Sequence, residues 1–433
     1  MRRLATVALC WGCLSSSSVV SALPIDIAGW EGQFESRWSL QQHWRAERFQ
    51  AQRSLYRGWE GWHALELQRE QWGLYLSARY WKQDPATRIR GTVSRAFSHQ
   101  STEHAEWLES YVFHHYQQEG GDGLWRLGRQ VVFASSRFYP APVGQINPQN
   151  RAEPFESMVT PLEYRPVAAA WWEHHWNDRW QSTLGIPLEW RSELAAVCSG
   201  SQPRFVCDDR YRGYSRNQPS AADQGVVQLG YQTDALGLWR VTAQRHALTY
   251  ALPEADQWRV PRGINTLGIE WNQLGRQGQA WSVALSRSDN FAVARKAGGW
   301  AERAVTRSVW RWQKTVDGIA PWQQLRWELE ASTAHVANAD TSVWADTWSW
   351  GYRAKLAGDY HALNGTLTPW VLWANDVRGD GVNQEWAGRS QAWQLGLGWA
   401  HAQGPSVSLH RTHYRGQATR QGAASAWVVQ LGL

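Results

Sequence analysis

The sequence predicts an all-β fold: a transmembrane, antiparallel, up-and-down β-barrel of the outer-membrane type, with about 18 strands. Three observations predict it. Apolar and polar residues alternate along segments of about ten residues, the connections between segments alternate between short and long, and the chain starts with an export-like segment. Successive side chains of a strand point to opposite faces, so an exported chain of this pattern favours lipid outside and water inside a closed barrel.

The alternation predicts each strand in turn. In one segment, Leu325, Trp327 and Leu329 share one face, whereas Arg326 and Glu328 share the other. A period of two is the pattern of a β-strand with two unlike faces. We expect strands at 27–40, 62–69, 72–81, 105–117, 123–133, 166–176, 180–190, 225–233, 238–248, 264–272, 280–288, 305–315, 323–335, 347–360, 365–375, 390–401, 406–415 and 424–433.

The predicted connections alternate in length. Most of the short ones contain Gly, Asn, Asp or Pro, which tight turns favour. The long ones include 41–61, 134–165, 191–224 and 289–304. Outer-membrane barrels have short periplasmic turns and longer outer loops, and an even number of strands returns both chain ends to the periplasm. Arg129 shares a face with apolar neighbours, and we expect a bulge to turn it inward.

The N-terminus has the features of a secretory signal. Arg2 and Arg3 precede an apolar run at 4–14 that is too short to span a bilayer, and small residues around Ala22 suit cleavage after that position. We therefore expect a signal peptide at 1–22 and one barrel domain at 23–433, in the outer membrane of a Gram-negative bacterium. A buried N-terminal helix is the alternative.

The composition agrees with a barrel. The chain has 33 Trp and 14 Tyr, and Trp favours the membrane–water boundary, although GC-rich codon usage would also raise the Trp content. A mean hydropathy of −0.55 is compatible with strands that keep one face in water. The formal net charge is +6, but acidic and basic residues are interspersed, which argues against a nucleic-acid partner.

Two cysteines remain after removal of the predicted signal. Cys198 and Cys207 lie close together in a polar stretch. An exported chain folds in an oxidising compartment, so we expect a disulfide between them, with metal binding as a weaker alternative.

A charged lumen is predicted from the strand faces. An arginine on the lipid face costs about 2–4 kcal/mol near the midplane, so we expect the charged faces to point inward. Alternatively, facing rows of opposite charge pair and fill the lumen. The residues expected to face the lumen include Glu31, Arg37, Arg79, Arg126, Arg326, Glu328, Arg353 and Lys355.

The connection at 134–165 is the candidate constriction loop. A long loop folded into a barrel narrows it, and charged side chains on that loop set its selectivity. The charged residues expected at such a constriction are Arg137, Arg151, Glu153 and Glu156. The alternative is an exposed outer loop with ordinary charges.

Motifs for catalysis or metal binding are weak. Adjacent histidines such as His114 and His115 point to opposite faces of a strand and cannot chelate one ion together. Asp376, Asp380, Asn383 and Glu385 resemble a calcium loop, but Arg378 stands where an oxygen ligand is expected. No lipase, zinc-protease or comparable motif occurs in the sequence. We therefore expect no enzyme, no cofactor and no metal, with a barrel lipase or protease as the rival class.

Six stretches of the chain carry a family resemblance. They are GWEGQFESRWSLQQHWRAE at 29–47, WRLGRQVVFASS at 125–136, INPQN at 146–150, EYRPVAAAWWEHHW at 163–176, WSWGYRAKLAGDY at 348–360 and NDVRGDGVNQEWAGRSQAWQLGLGWAH at 375–401. These stretches resemble a proteobacterial outer-membrane barrel family catalogued as a domain of unknown function, close to the alginate-export and porin barrels. The chain departs from that family in its Trp content, its terminal Leu433 and its cysteine-bearing loop.

The resemblance implies an outer-membrane barrel that works with an inner-membrane pump of the resistance-nodulation-division (RND) type and a periplasmic lipid-carrier-like protein, on hydrophobic or lipid cargo. From the residues, we expect a porin-like channel or transport component for small polar, amphipathic or hydrophobic solutes. Its expected partners are outer-membrane lipids, lipopolysaccharide and the barrel-assembly machinery. Export of lipid cargo with such a pump is the alternative function.

Overall fold

The computed structural model describes most of the chain. The described residues are 21–47, 53–85, 103–131, 138–139, 143, 147–150, 163–191, 219–248, 252–254, 257–275, 277–297, 299–343, 345–382, 388–401, 405–416 and 423–432. No helix among them is long and apolar enough to cross a membrane.

Within these residues the chain forms β-strands and a 3-10 turn at Ala221–Asp223. In chain order, β1 to β23 are Ser21–Ile27, Trp30–Glu47, Arg53–Arg69, Trp72–Pro85, Glu103–Gln118, Gly121–Gln130, Gln149–Asn150, Glu163–Tyr164, Val167–His175, Trp180–Pro187, Gly225–Thr233, Gly237–His246, Leu252–Glu254, Gln257–Arg259, Ile264–Leu274, Gln279–Ala294, Trp300–Asp317, Gln324–Val336, Trp348–Ala362, Gly365–Arg378, Ser390–His401, Ser406–Gly416 and Ala423–Gly432.

Eighteen of these strands close into one antiparallel barrel. Each long strand pairs with its neighbours in chain order, and β2 pairs with both β3 and the last strand, β23. Closure leaves no unpaired sheet edge in the ring, which a membrane-spanning sheet requires. The short hairpins β7–β8 and β13–β14 lie outside the ring. The prediction of an all-β, up-and-down barrel with about 18 strands is confirmed.

One additional strand, β1, was not predicted. It pairs with β2 from Ser21 opposite Ser36 to Ile27 opposite Trp30, whereas β23 covers β2 from Ser39 upward. Strand β1 therefore occupies the part of the β2 edge that β23 leaves free. The turn between β1 and β2 is Ala28–Gly29, with φ of 53° and 78°. An alanine at positive φ is an unusual turn residue, so no hairpin was expected there.

The two faces of the barrel differ as the alternation predicts. Large apolar side chains such as Leu267, Val227 and Trp125 are exposed on the outer face. Between them, small or polar side chains such as Ser286 and Thr242 point inward and are buried. An exposed apolar belt around a closed barrel is the surface that meets lipid.

The connections differ from the predicted lengths at two outer loops. The structure replaces the expected loop at 41–61 by a connection at 48–52, and the one at 289–304 by a connection at 295–299. In both cases the strands extend further than predicted. Beyond the apolar belt neither face meets lipid, so the alternation that marks a strand in the sequence disappears while the ladder of hydrogen bonds continues.

Candidate functional site: a segment folded into the lumen

Parts of the connection between β6 and β9 lie inside the barrel. We call its described parts the inner segment: Phe138, Tyr139, Val143 and residues 147–150. Phe138, Tyr139 and Val143 are almost completely buried, at 4%, 1% and 2% exposure. An outer loop of a barrel would normally lie in water, so this burial requires contact with the barrel interior.

Phe138 and Tyr139 contact the far wall of the barrel. Both backbone amides donate to the same carboxylate oxygen, Glu330 Oε1 on β18, over 3.0 and 2.8 Å. The Tyr139 hydroxyl accepts a hydrogen bond from Arg353 of β19 at 2.7 Å. Strand β6 lies nine positions from β19 in either direction around the ring of eighteen strands. The inner segment therefore crosses the full width of the lumen.

Two glycines on the inner face make room for the inner segment. A Cβ atom on Gly351 would lie 2.7 Å from the Tyr139 hydroxyl oxygen and 2.8 Å from the backbone oxygen of Asn375. A Cβ atom on Gly268 would lie 2.2 Å from Val143 Cγ1. Both distances are shorter than non-bonded carbon contacts permit. A side chain at either position would push the segment away from the wall.

The ends of the inner segment are fixed at the outer rim. The side-chain amide of Asn147 donates to the backbone oxygens of Gln130 and Arg165, at 3.2 and 2.9 Å. Arg165 and Arg191 both bind Glu106 of β5, at 2.6 and 2.5 Å. The small sheet β7–β8 joins the two sides of the connection. The segment thus leaves and re-enters the wall between β6 and β9 at well-defined points.

The inner faces of β17–β20, called here the packed wall, are covered around Arg353, whereas Arg326 nearer the short turns keeps 23% side-chain exposure. Arg353 pairs with Asp376 at 2.8 Å, and their side chains are 3% and 1% exposed. Two further pairs follow on the same wall, Arg311 with Glu328 at 2.8 Å and Arg326 with Asp359 at 2.9 Å. Phe138 and Tyr139 also join a buried apolar cluster with residues of this wall, including Val309, Ala334, Leu372 and Ala374.

The inner faces of β2–β6, called here the accessible wall, remain open to water. Arg37 and Arg79 retain 31% and 25% side-chain exposure. Each lies over an aromatic ring of the same face, Arg37 over Trp62 at 4.8 Å and Arg79 over Trp81 at 5.2 Å. Arg79 also pairs with Glu60 at 2.5 Å. The free space of the lumen therefore borders charged and aromatic groups.

The predicted lumen residues divide between these two walls. The register places Glu31, Arg37, Arg79 and Arg126 on the accessible wall. It places Arg326, Glu328, Arg353 and Lys355 on the packed wall. An aqueous lining and mutually paired rows both stay predictions for these charged residues. Arg137, Arg151, Glu153, Glu156, Cys198 and Cys207 lie outside the described residues.

The expected bulge at Arg129 does not form. Pairing of β6 with β5 and with β9 continues through Arg129 without a shift. Arg129 therefore points outward at the end of β6. It binds both carboxylate oxygens of Glu189 there, at 3.2 and 3.1 Å. A bidentate ion pair at the rim stabilises an arginine that faces outward.

The residues considered as metal ligands do not meet at one site among the described residues. Asp376, from the stretch that resembles a calcium loop, points into the lumen and binds Arg353, whereas Asn383 and Glu385 of that stretch lie outside the described residues. In the described part of the chain, no three His, Cys, Asp or Glu side chains are placed to hold a metal ion.

Sequence reasoning missed the residues that fix the inner segment. No local pattern in the sequence distinguishes Glu330, Gly268 or Gly351 from their neighbours. The adjacent aromatic residues Phe138 and Tyr139, in an otherwise polar connection, were the one signal that could have indicated a buried contact.

A closed eighteen-stranded barrel with an apolar exterior and an inward segment defines the class of outer-membrane porin-type barrels, and the bacterial outer membrane is its location. The chain belongs to the family described as protein of unknown function (DUF1302), whose model matches residues 59–427. A comparison with curated protein sequences found no match.

Solved structures show the same fold. Acinetobacter baumannii OccAB1 aligns with a TM-score of 0.52 at 9% identity, over 92% of this chain and 95% of that chain. Pseudomonas aeruginosa OccK2 (OpdF), in complex with glucuronate, aligns with a TM-score of 0.50 at 9% identity, over 92% of this chain and 97% of that chain. At such identity the likeness concerns the fold alone.

Proposed function

We propose that the protein is a porin-like channel that lets small polar or amphipathic solutes cross the outer membrane through its lumen. The observation that carries the proposal is the unequal lining of the lumen. The inner segment covers the packed wall, and the charged groups of the accessible wall remain exposed to water. A lumen narrowed on one side and wet on the other can pass solutes and select among them.

The inner segment sets the width of the passage in this mechanism. Its contacts with Glu330 and Arg353 are charge-assisted hydrogen bonds in a buried environment, which are stronger than neutral ones. The segment is therefore a fixed constriction in this proposal. Arg137, Arg151, Glu153 and Glu156 of the same connection are proposed to add charge beside it.

The exterior supports contact with outer-membrane lipids and lipopolysaccharide. Near the short turns, the Trp172 indole donates to the Tyr116 hydroxyl at 2.7 Å, and Tyr116 bonds His174 Nδ1 at 3.0 Å. Aromatic groups with a polar edge suit the membrane–water boundary. Insertion by the barrel-assembly machinery, a signal peptide at 1–22 and a Cys198–Cys207 disulfide also belong to this proposal.

Two other functions make different predictions. Export of hydrophobic or lipid cargo with an RND-type pump and a lipid-carrier-like protein predicts little ion current and a requirement for those partners. A barrel lipase or protease predicts a polar residue whose removal abolishes turnover while the barrel stays intact. The exposed charges of the accessible wall favour the channel, since they suit polar solutes better than an apolar cargo.

Single-channel recording tests the proposal. The purified, detergent-solubilised chain is added to planar lipid bilayers, and step-like conductance increments are expected. Glucuronate, the ligand in the OccK2 complex, serves as one test solute in a liposome-swelling assay beside neutral sugars of similar size. A chain that inserts, shifts on a gel after heating and still passes neither ions nor sugars would contradict the channel function.

A further inference from the structure

The accessible wall carries more carboxylates than arginines. Among the inward-facing residues whose side chains the structure describes, three arginines stand on the strands themselves: Arg37, Arg79 and Arg126. The register gives the same face to seven acidic residues: Glu31, Glu35, Glu60, Glu66, Glu106, Glu109 and Asp122.

Pairing does not neutralise this surplus. Glu60 pairs with Arg79, Glu35 approaches Arg37 at 3.4 Å, and Glu106 receives two arginines from outside these strands. Glu31, Glu66 and Asp122 form no ion pair among the described residues. The packed wall differs, because its Arg311, Arg326 and Arg353 each bind a carboxylate. The unbalanced negative charge therefore lies on the side of the lumen that water reaches.

Glu66 stands in a row with aromatic side chains. The register makes Gln33, Glu66, Tyr75 and Tyr111 direct neighbours across β2 to β5. Direct cross-strand neighbours have Cβ atoms about 4.5–5.5 Å apart. The rings of Tyr75 and Tyr111 stack at 5.4 Å with an angle of 24°. Glu35 occupies the next inward position of β2 after Gln33, beside the same row.

Stacked phenol rings beside carboxylates attract a particular kind of solute. The faces of aromatic rings bind ammonium groups, and they do so more strongly where water is partly excluded. A carboxylate without a protein partner adds direct charge attraction. Arg126, which lies 5.7 Å from the Tyr111 ring, limits the attraction at one end of the row, so Tyr75 and Glu66 form its most cation-attracting part.

We infer that the passage runs along the accessible wall and favours cations, with Glu66, Tyr75 and Tyr111 forming a subsite for organic ammonium ions. This inference rests on the proposed channel function and names its substrate class. Fixed charge lining a narrow aqueous path concentrates ions of opposite sign. The preference weakens at high salt, because the screening length falls to about 3 Å at 1 M.

Reversal potentials in a KCl gradient across a planar bilayer test the inference. The parent chain is expected to prefer K⁺ over Cl⁻. Glu66→Gln should lower the permeability ratio about twofold, as loss of one partly screened charge predicts. Asp234→Asn is the matched control, because it removes an exposed carboxylate on the short turn after β11 and should leave the ratio unchanged. With tetramethylammonium in place of K⁺, Tyr75→Leu should lower the cation preference about twofold.

The outcomes separate the two levels of the proposal. A conducting parent chain that prefers Cl⁻, or a Glu66→Gln chain with the parent's ratio, overturns the cation inference and leaves the channel function standing. A correctly inserted parent chain without any ion current overturns the channel function and this inference together.

Discussion

The backbone amide of Tyr139 donates to Glu330 Oε1 over 2.8 Å, although 191 positions separate the two residues in the chain. They start from opposite sides of the barrel. One carboxylate oxygen accepts two consecutive amides of the inner segment, so a single residue of β18 holds the tip of a connection that begins after β6. Four predictions test this arrangement and its surroundings.

Replacement of Glu330 should weaken the attachment of the inner segment to β18, and more so when the new side chain has no hydrogen-bond acceptor. Glu330→Ala leaves two buried amides without a partner, which costs about 1–3 kcal/mol for each. Glu330→Gln keeps an acceptor oxygen and loses only the charge. We expect larger and more variable conductance steps in Glu330→Ala and a smaller change in Glu330→Gln. Identical conductance of the parent and Glu330→Ala would show that Glu330 does not fix the constriction.

Removal of the Tyr139 hydroxyl tests the contact with Arg353. Tyr139→Phe deletes a hydrogen bond to a charged donor, worth about 1.5–3 kcal/mol. Single-channel records should therefore show a state of larger conductance, with the inner segment detached from Arg353, at least about tenfold more often than the parent does. A free-energy change of about 1.4 kcal/mol corresponds to a factor of ten. Tyr360→Phe is the control, because Tyr360 is exposed on the same strand, β19. An effect of equal size in both variants would contradict the assignment.

Gly268 tests the steric fit of the segment. Gly268→Ala places a methyl group where Val143 Cγ1 now lies, and overpacking of this kind costs about 1–3 kcal/mol. We expect wider conductance steps and a lower temperature for the heat-induced gel shift. Val143→Ala in the same chain should restore both values, because it removes the clashing atoms. Gly398→Ala, whose new Cβ would meet its nearest atom at 3.5 Å, should change neither.

Asp380, in the connection between β20 and β21, gives a pH-dependent prediction. Burial raises the pKa of this carboxyl above its usual value, and nearby Asp346 raises the pKa further. The folded state therefore binds this proton more tightly than the unfolded state. The resulting stabilisation is complete below the unfolded-state pKa and is lost as the pH rises through the folded-state pKa.

Asp380→Asn should remove this pH dependence. The gel-shift temperature of the parent chain should fall relative to that of Asp380→Asn as the pH rises through the carboxyl range, with Asp234→Asn behaving like the parent. Parallel temperature curves for the parent and Asp380→Asn would refute the role of Asp380.

The sequence was sufficient for the barrel and insufficient for its interior. Each barrel strand presents one face to lipid and the other to the lumen. Apolar and polar residues therefore alternate in the sequence of each strand, and this pattern can be recognised one strand at a time. Leu325, Trp327 and Leu329 thus indicated β18 without knowledge of its neighbours. The hairpin of β1 and β2 was not predicted, because the seven residues of β1, which include Pro24, show too little alternation of apolar and polar side chains.

The interior depends on pairs that are distant in the chain. Glu330 and Tyr139, or Gly268 and Val143, carry no local pattern that links one member to the other. Their contact follows from closure of the ring, which brings β6 opposite β19. The length and the charged residues of the loop at 134–165 predict a constriction, but the residues that anchor the loop can be found only with the far wall in place.

Accessibility of single cysteines from the lumen tests the account most directly. Gln33→Cys lies on the accessible wall and is exposed, whereas Ser332→Cys lies on the inner face of β18 and is 3% exposed. A water-soluble thiol reagent, applied to the open channel and compared with the parent chain that carries its own cysteines, should reduce the current through Gln33→Cys and leave that through Ser332→Cys unchanged. Equal block at both positions, or block at Ser332→Cys alone, would contradict a lumen covered on the packed wall and open along β2–β6.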